Sequence, residues 1–231
     1  MLVNGAIAEK ASRLVDPSDA VVVTGEPRRF VSRGGDKLDA ALDAFDIDVT
    51  AIDVLDAGAS TGGFTDCLLQ RGAARVIALD VGHGQLHPRI RNDGRVIVVE
   101  RFNVRSLVAE QLCFVPHLAV ADLSFISLTK VIPVLACVVA PRGELVLLVK
   151  PQFEAGRAEV SRGHGVITDP AIHDRVRDEV ETCLVGAGCA VVGWCDSPLA
   201  GGDGNREFLV HARIAEADVV RLSAVTGMEQ G

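Results

Sequence analysis

The stretch Val54-Leu55-Asp56-Ala57-Gly58-Ala59-Ser60-Thr61-Gly62-Gly63-Phe64-Thr65 decides the fold of this chain. It begins as an apolar strand, passes through a loop of small residues and enters a helical pattern at Phe64. Such a loop between a strand and a helix lets the backbone approach a ligand and points amide N–H groups toward it. The stretch therefore predicts the first βα unit of a ligand-binding α/β domain.

Apolar runs of strand length alternate with helical patterns on both sides of this stretch. The predicted strands are Ala51–Leu55, Arg75–Leu79, Val96–Val99, Leu118–Ala121, Glu144–Val149, Ala190–Gly193 and Phe208–Ala212. The predicted helices are Gly35–Ala44, Phe64–Arg71, Val104–Gln111, Leu128–Ala140 and Pro170–Gly186. This alternation indicates a Rossmann-like α/β fold, with a seven-stranded, mostly parallel sheet and helices on both faces. The connection between the last two strands is too short for a helical crossover, so we expect that pair to be antiparallel.

The first 25 residues are interpreted as a separate small unit. A strand and turn at Leu2–Ala6 and a second strand at Val21–Thr24 cannot bury a core by themselves. A polar connector at residues 26–31 follows, and the α/β domain is expected to cover residues 32–231.

Composition narrows the class of protein. The chain has 231 residues, a net charge of −8, eight Phe, one Trp and no Tyr. Few aromatic faces argue against a stacking platform for single-stranded nucleic acid, and the negative charge argues against a nucleic-acid surface that covers the whole molecule. The six cysteines lie in apolar stretches without metal-ligand spacing, so we expect buried free thiols in a reducing compartment. Neither a secretory signal nor a spanning segment is evident, which predicts a cytoplasmic protein.

The glycine loop discriminates between nucleotide ligands. It does not fit G-x-G-x-x-G, because Ser60 stands where a glycine is needed, and it lacks the Gly-Lys-Ser ending of a P-loop. It fits the looser D-x-G-x-(S/G)-x-G pattern of proteins that bind S-adenosyl-L-methionine (SAM). Asp56 is then a partner for the ammonium of that cofactor, and Asp80, which ends the next strand, can accept both ribose hydroxyls. NAD enzymes share an acid at this place, and a βα turn without any ligand is the alternative.

Charged residues also end two later strands. Lys150 follows the apolar run Glu144–Val149, and Asp122 follows Leu118–Ala121. Ligands of open α/β sheets bind outside the carboxyl ends of the strands, so we expect these two side chains to meet there. Burial favours a neutral Lys150 able to take a proton from a hydroxyl, whereas Asp122 favours its ammonium form. The alternatives without a catalytic role are that Lys150 is a surface lysine at the end of a strand and that Asp122 caps the following helix.

Two further residues complete a candidate site. Lys37 stands at the start of the helix that follows Val31–Asp36, and Glu207 precedes the final strand. Taken singly, Lys37 is an ordinary solvated helix residue. Together with Asp122 and Lys150, the two provide a hydrogen-bonded set that could orient a ribose hydroxyl against a neutral lysine.

Four blocks of this sequence resemble the TlyA family. They are Ser32-Arg33-Gly34-Gly35-Asp36-Lys37-Leu38, Asp56–Phe64, Asp122-Leu123-Ser124-Phe125-Ile126-Ser127 and Leu148-Val149-Lys150-Pro151-Gln152-Phe153-Glu154. Members of that family are ribosomal-RNA ribose 2′-O-methyltransferases, also called haemolysins, with a catalytic domain of the RrmJ/FtsJ type. The resemblance runs from about Leu2 to about Arg213.

The resemblance implies roles for particular residues. The family's Lys-Asp-Lys-Glu catalytic tetrad falls on Lys37, Asp122, Lys150 and Glu207. The implied SAM-binding residues are Asp56, Gly58, Ala59, Ser60, Thr61, Gly62, Gly63, Phe64, Asp80 and Asp122. Residues 1–25 are similar to the second half of an S4 RNA-binding domain, and the family's interdomain linker matches Arg28-Arg29-Phe30-Val31, with Phe30 in place of the usual Trp. Arg28, Arg29 and Arg33 are the implied RNA-binding residues.

The helical first half of the S4 module has no counterpart in this sequence. Residues 1–37 carry six basic and five acidic side chains, a net charge of +1. This is little positive charge for binding the phosphates of RNA.

Three functions follow as hypotheses. The first is SAM-dependent 2′-O-methylation of ribose in 16S ribosomal RNA, 23S ribosomal RNA or both, with cytidine favoured and no metal required. The second is a membrane-active haemolysin, which would need an amphipathic basic helix or a spanning segment. The third is a SAM-binding RNA chaperone without turnover, which is distinguished from the enzyme by whether Lys150→Ala abolishes methylation while leaving RNA binding intact.

Overall fold

A seven-stranded sheet organises the larger part of the chain. The computed structural model describes residues 1–8, 13–22 and 28–215. Counting from three short N-terminal strands, the sheet consists of β4 (Asp53–Ala57), β5 (Arg75–Leu79), β6 (Val96–Val99), β7 (Leu118–Ala121), β8 (Glu144–Val149), β9 (Cys189–Asp196) and β10 (Phe208–Ile214). Their spatial order is β6-β5-β4-β7-β8-β10-β9. The first five strands are parallel, and β10 runs antiparallel to both β8 and β9, which confirms the predicted sheet.

Helices cover both faces of the sheet, as predicted. They are α1 (Arg33–Ala44), α2 (Gly63–Gln70), α3 (Pro88–Arg91), α4 (Ile132–Val138), α5 (Pro151–Glu154), α6 (Arg157–Arg162) and α7 (Pro170–Gly186). Alternate residues of a strand point to opposite faces. Val54 therefore belongs to the core beneath α1 and α2, and Leu55 to the core beneath α4 and α7.

Two predicted helices are broken in the structure. In place of a helix over Val104–Gln111 there are two 3₁₀ turns, Val104–Ser106 and Ala109–Gln111. The backbone between them is extended at Leu107 and Val108, and the Gln111 side chain accepts the Val108 N–H bond. In place of one helix over Leu128–Ala140, a 3₁₀ turn at Leu128–Lys130 precedes α4. Pro133 explains the break, because a proline is tolerated only in the first turn of a helix.

Smaller differences concern strand ends and cysteines. The first strand of the large sheet begins at Asp53 instead of Ala51, because Ala51 has a positive φ of 59°. The short helices α3, α5 and α6 were not predicted. The expectation that all six thiols are buried was wrong: all six cysteines are free, but Cys113 and Cys137 are exposed.

The N-terminal residues form a separate small sheet. Strands β1 (Leu2–Val3), β2 (Ala6–Ile7) and β3 (Val21–Val22) pair antiparallel in the order β2-β1-β3, one strand more than predicted. The rest of the predicted second strand, Val23 and Thr24, lies outside the described residues, as does part of the connector at 26–31. The S4 assignment and the domain boundaries therefore stay predictions. In the described part of the chain, no helix is long and apolar enough to span a membrane.

Candidate active site

The glycine loop joins β4 to α2 at the carboxyl edge of the sheet. The N–H groups of Gly58 and Ala59 both donate to the Leu79 carbonyl oxygen, which turns the chain sharply away from β4. Gly58 has a φ of 89°, and a Cβ atom there would lie 2.7 Å from the Asp122 carbonyl oxygen. Glycine is therefore required for both conformation and space, and the loop packs directly against the end of β7.

Asp80 ends β5 and faces this loop. One carboxylate oxygen accepts a hydrogen bond from the Ser60 N–H group at 2.8 Å, and the other accepts one from the Gly82 N–H group at 2.6 Å. These bonds fix the carboxylate at the rim of a cavity of about 410 Å³. The cavity is lined by Gly58, Ser60, Leu79, Asp80, Val81, Gln85, Phe102, Asn103, Val104, Asp122, Leu123, Ser124, Phe125 and Ile126. Apolar walls with an acid at the rim suit a nucleoside whose ribose hydroxyls need acceptors.

A second, smaller recess lies beside the first. It has a volume of about 90 Å³ and is bounded by Ser32 and Gly34, by the glycine loop from Gly58 to Phe64, and by Asp122. The amino-terminal ends of α1 and α2 both border it. The partial positive charge of helix amino ends favours a carboxylate such as the one at the amino-acid end of SAM.

Asp56 lies beneath the loop and not on the cavity wall. Its side chain is completely buried and accepts the Thr65 hydroxyl at 2.6 Å, while its Oδ1 atom has no hydrogen-bond partner among the described residues. Burial raises the pKa of Asp56 to about 7, a rise that the Thr65 hydrogen bond opposes. A buried acceptor without a partner is unusual and fits a nearby cationic ligand. Its predicted contact with the cofactor ammonium stays a prediction.

Lys150 and Asp122 meet at the carboxyl ends of β8 and β7. These two strands are parallel neighbours, so the residues that follow them project at the same edge. The Lys150 ammonium forms an ion pair with Asp122 and donates a hydrogen bond to the Ser124 hydroxyl at 3.1 Å. Lys150 is buried, whereas Asp122 is partly exposed and borders both recesses. The pair therefore lies at the edge of both recesses, with Asp122 as the member that lines them.

Lys37 and Glu207 form the second lysine–carboxylate pair. Both are buried, 7 % and 3 % exposed, and their side chains are in direct contact. Lys37 comes from the second turn of α1, and Glu207 precedes β10. In the antiparallel register Phe208 lies opposite Val149, so Glu207 falls beside Lys150. The insertion of β10 next to β8 thus brings the two pairs to one edge.

The predicted RNA contacts differ from one another. Arg29 is bound within the protein: its guanidinium is 2.5 Å from the Asp39 carboxylate and 4.6 Å from the centre of the Phe30 ring. Arg28 and Arg33 are exposed, and neither has an ion-pair partner among the described residues. Of the three, these two are available to a phosphate. Their contact with RNA stays a prediction.

Several residues of the site were missed. They are the lining residues Val81, Gln85, Phe102 and Asn103, which follow β5 and β6, and the lining residues Leu123, Ser124, Phe125 and Ile126, which follow β7. Their signal is positional: each follows the carboxyl end of a parallel strand, where ligands bind in open α/β sheets. No group of three or more His, Cys, Asp or Glu side chains arranged to hold a metal occurs within residues 1–8, 13–22 and 28–215.

Comparisons with known proteins identify the family of this chain. A family profile described as FtsJ-like methyltransferase matches residues 30–214. The 16S/23S rRNA (cytidine-2′-O)-methyltransferase TlyA of Mycobacterium tuberculosis is 47% identical over 212 residues, 91% of this chain and 79% of that protein. Hemolysin A of Brachyspira hyodysenteriae is 41% identical over 213 residues, 91% of this chain and 88% of that protein. A crystal structure of a protein from Lactococcus lactis, described as a hemolysin, superposes with a TM-score of 0.78 at 46% identity, covering 80% of this chain and 88% of that one.

The glycine loop, the acid at the end of β5 and the cavity between them define a SAM-dependent methyltransferase on a Rossmann-like sheet. The ordered blocks around the two lysine–carboxylate pairs narrow this class further. The chain belongs to the FtsJ-like methyltransferase family and, within it, to the TlyA group.

Proposed function

We propose that this enzyme methylates the ribose 2′-hydroxyl of a cytidine in 16S or 23S ribosomal RNA. The observation that carries the proposal is the convergence of Lys37, Asp122, Lys150 and Glu207 beside the cofactor cavity. The relative from M. tuberculosis is named for this reaction. The sequence resemblance described above implies that the family's tetrad falls on these four residues.

The cavity and the smaller recess fit the two ends of SAM. The apolar walls with Asp80 at the rim suit the adenosine, and the recess between α1 and the glycine loop suits the amino-acid end. Asp56 has an unpartnered Oδ1 atom but lines neither recess, so we expect it to accept from the ammonium only after a shift of the glycine loop. When bound, SAM supplies a methyl group already activated by its sulfonium. The protein's main task is then to align donor and acceptor.

The four polar residues take distinct roles in this scheme. Lys150 acts in its neutral amine form: after its ammonium has released a proton to solvent, it orients the ribose hydroxyl and accepts the hydroxyl proton as the new O–C bond forms and the S–C bond breaks. Asp122 and Ser124 hold the Lys150 side chain by the ion pair and hydrogen bond described above. Lys37 and Glu207 form a fixed wall that orients the nucleotide. Reaction products are S-adenosylhomocysteine and the 2′-O-methylated ribose.

RNA would approach over the exposed rim of the site. Arg28 and Arg33 offer positive charge beside α1, and the Phe125 ring, 91% exposed, stands next to Ser124 at the cavity mouth. Residues 1–25, as a partial S4 domain, and the linker at 26–31 would extend the contact beyond the methyltransferase domain at 32–231. A ribosomal substrate implies action in the cytoplasm.

The test uses ribosomal subunits that lack the modification. Purified protein is incubated with methyl-labelled SAM and undermethylated subunits, and the labelled site is mapped as a 2′-O-methyl ribose. We expect label in the wild type, none with Lys150→Ala, and wild-type label with the control Lys130→Ala, which changes an exposed lysine outside the cavity lining. Label on a base, or full activity of Lys150→Ala, would contradict the proposal.

Filter binding to the same subunits separates turnover from an RNA-chaperone function. Lys150→Ala should bind RNA like the wild type while transferring no methyl group. RNA binding without label transfer by the wild type would favour the chaperone.

A further inference from the structure

The segment after β7 is joined to the residues after Lys150 by three contacts. We refer to residues 122–128 as the post-β7 segment. Lys150 donates to the Ser124 hydroxyl at 3.1 Å, and the rings of Phe125 and Phe153 lie 5.2 Å apart, centre to centre. The third contact belongs to Glu154, which has no place in the four-residue site.

Glu154 binds the far end of the post-β7 segment. Its Oε2 atom accepts a hydrogen bond from the Ser127 hydroxyl at 2.6 Å, and its Oε1 atom accepts one from the Leu128 N–H group at 2.8 Å. Both partners are donors, which an acceptor-only carboxylate satisfies without rearrangement. Burial raises the pKa of Glu154, and the hydrogen bonds from Leu128 and Ser127 oppose the rise. Glu154 lies at the end of α5, one helical turn beyond Lys150.

The near end of the segment is held by the sheet. The Asp122 N–H group donates a hydrogen bond to the Ala57 carbonyl oxygen at 3.1 Å, which fixes the start of the segment beside β4. Between the two anchors Phe125 has a φ of 65°, a conformation that a bulky side chain rarely adopts. Such a residue persists only where the surrounding structure holds it. Loss of the anchor at Glu154 would let this part relax.

Relaxation would reach the reacting groups directly. Asp122 and Ser124, the two residues that hold the Lys150 ammonium, belong to the post-β7 segment, and residues 122–126 also line the cofactor cavity. One segment therefore sets both the cavity wall and the position of the lysine. A displacement of about 1 Å at a reacting group can cost about a hundredfold in rate.

We propose that Glu154 is a positioning residue for methyl transfer, which acts on Lys150 through the post-β7 segment. This inference rests on the proposed role of Lys150. It assigns to Glu154 a function in the rate of transfer, with little effect on the affinity for RNA, because Glu154 is half-buried behind the segment instead of lining the cavity.

Three variants test the proposal. Glu154→Ala removes both acceptors, and Glu154→Gln keeps one carbonyl oxygen for the Leu128 N–H bond. The matched control is Glu159→Ala, five residues further on, which removes a glutamate bonded to Arg175 and to the Gly156 N–H bond but not to the post-β7 segment. Glu154→Gln also guards against misfolding, because it preserves the shape of the side chain.

Methylation kinetics provide the first measurement. We expect kcat to fall about tenfold in Glu154→Ala and about threefold in Glu154→Gln, with the KM for RNA within about twofold of the wild-type value. The control should keep the wild-type kcat. An unchanged kcat in Glu154→Ala, or an equal loss in the control, would overturn the proposal.

Amide hydrogen exchange and S-adenosylhomocysteine binding provide measurements that need no RNA substrate. Exchange over residues 122–128 should speed up at least about tenfold in Glu154→Ala, and the Kd of S-adenosylhomocysteine should rise about threefold, with neither change in the control. Should the wild type methylate no RNA, the proposed function fails, yet these two measurements still decide the positioning role. Wild-type exchange over the segment in Glu154→Ala would refute it.

Discussion

The buried pair of Lys37 and Glu207 should couple stability and activity in a measurable way. Their side chains are 8% and 3% exposed, so removing one partner leaves the other charge uncompensated in the interior. That loss costs about 3–5 kcal/mol of unfolding free energy. We therefore expect Lys37→Met and Glu207→Leu each to lower stability by about that amount. For a domain of this size the melting temperature should fall by about 10 °C.

The double variant should behave differently. Replacing both charges by apolar side chains of similar volume leaves no buried charge, and such replacements are often neutral or stabilising by about 1–4 kcal/mol. Lys37→Met combined with Glu207→Leu should therefore be close to the wild type in stability. We expect it to be inactive in methyl transfer, because the pair that is proposed to orient the nucleotide is gone. Stability and activity would then be separated in a single protein.

Urea denaturation, monitored by circular dichroism, gives the unfolding free energies of the wild type, the two single variants and the double variant. The double-mutant cycle built from these four values gives the coupling energy of the pair. The neighbouring pair of Arg206 and Asp196 is the control, since both side chains are about 60% exposed. Arg206→Ala should cost less than about 1 kcal/mol. The reasoning is refuted if the single variants also cost less than about 1 kcal/mol, or if the two losses simply add in the double variant.

Three other predictions concern the glycine loop and the acids around it. Burial raises the pKa of Asp56 from 3.8 to about 7, so the native state holds a proton that the unfolded chain releases between these values. The stability of Asp56→Asn relative to the wild type, measured in urea without cofactor, should therefore increase as the pH rises from about 4 to about 7; a constant difference would contradict this. Gly58→Ala should cost at least about 2 kcal/mol more than Gly188→Ala in thermal unfolding, because both glycines have a positive φ but only Gly58 would press a Cβ atom against the Asp122 carbonyl. Asp80→Ala should weaken the binding of S-adenosylhomocysteine at least about tenfold, as measured by calorimetry. The Ser60 and Gly82 N–H groups lose their common acceptor, and the cavity loses the carboxylate at its rim. An unchanged Kd would place the ribose elsewhere.

The parallel part of the sheet could be predicted because each of its strands is a short apolar run with a small-residue or charged ending. That pattern predicts the bounds of β4 to β8 closely and places Asp80, Asp122 and Lys150 at one edge of the sheet. Helices were harder where local bonds compete with helical ones. At Val104–Gln111, for example, the Gln111 side chain satisfies a backbone N–H group that a continuous helix would have used.

The pairing of residues could not be predicted in the same way. The short link between β9 and β10 required an antiparallel pair, but spacing alone did not say that β10 inserts between β8 and β9. That insertion places Glu207 beside Lys150 and in contact with Lys37. The role of Glu154 depends likewise on α5, a helix of four residues that is too short to leave a periodic signal.

The two lysine–carboxylate pairs differ in a way that bears on the chemistry. Lys37 and Glu207 are closed off from solvent and satisfy each other, so neither can change partners without a large cost in free energy. Asp122 is partly exposed and borders both recesses, and Lys150 shares its N–H groups between Asp122 and the exposed Ser124. Of the two pairs, only the one formed by Lys150 and Asp122 has a member that lines the recesses, because Asp122 borders both of them and neither Lys37 nor Glu207 borders either. We therefore expect the Lys37–Glu207 pair to be a fixed support and the Lys150–Asp122 pair to take part in proton transfer, which favours Lys150 over Lys37 for the proposed catalytic role.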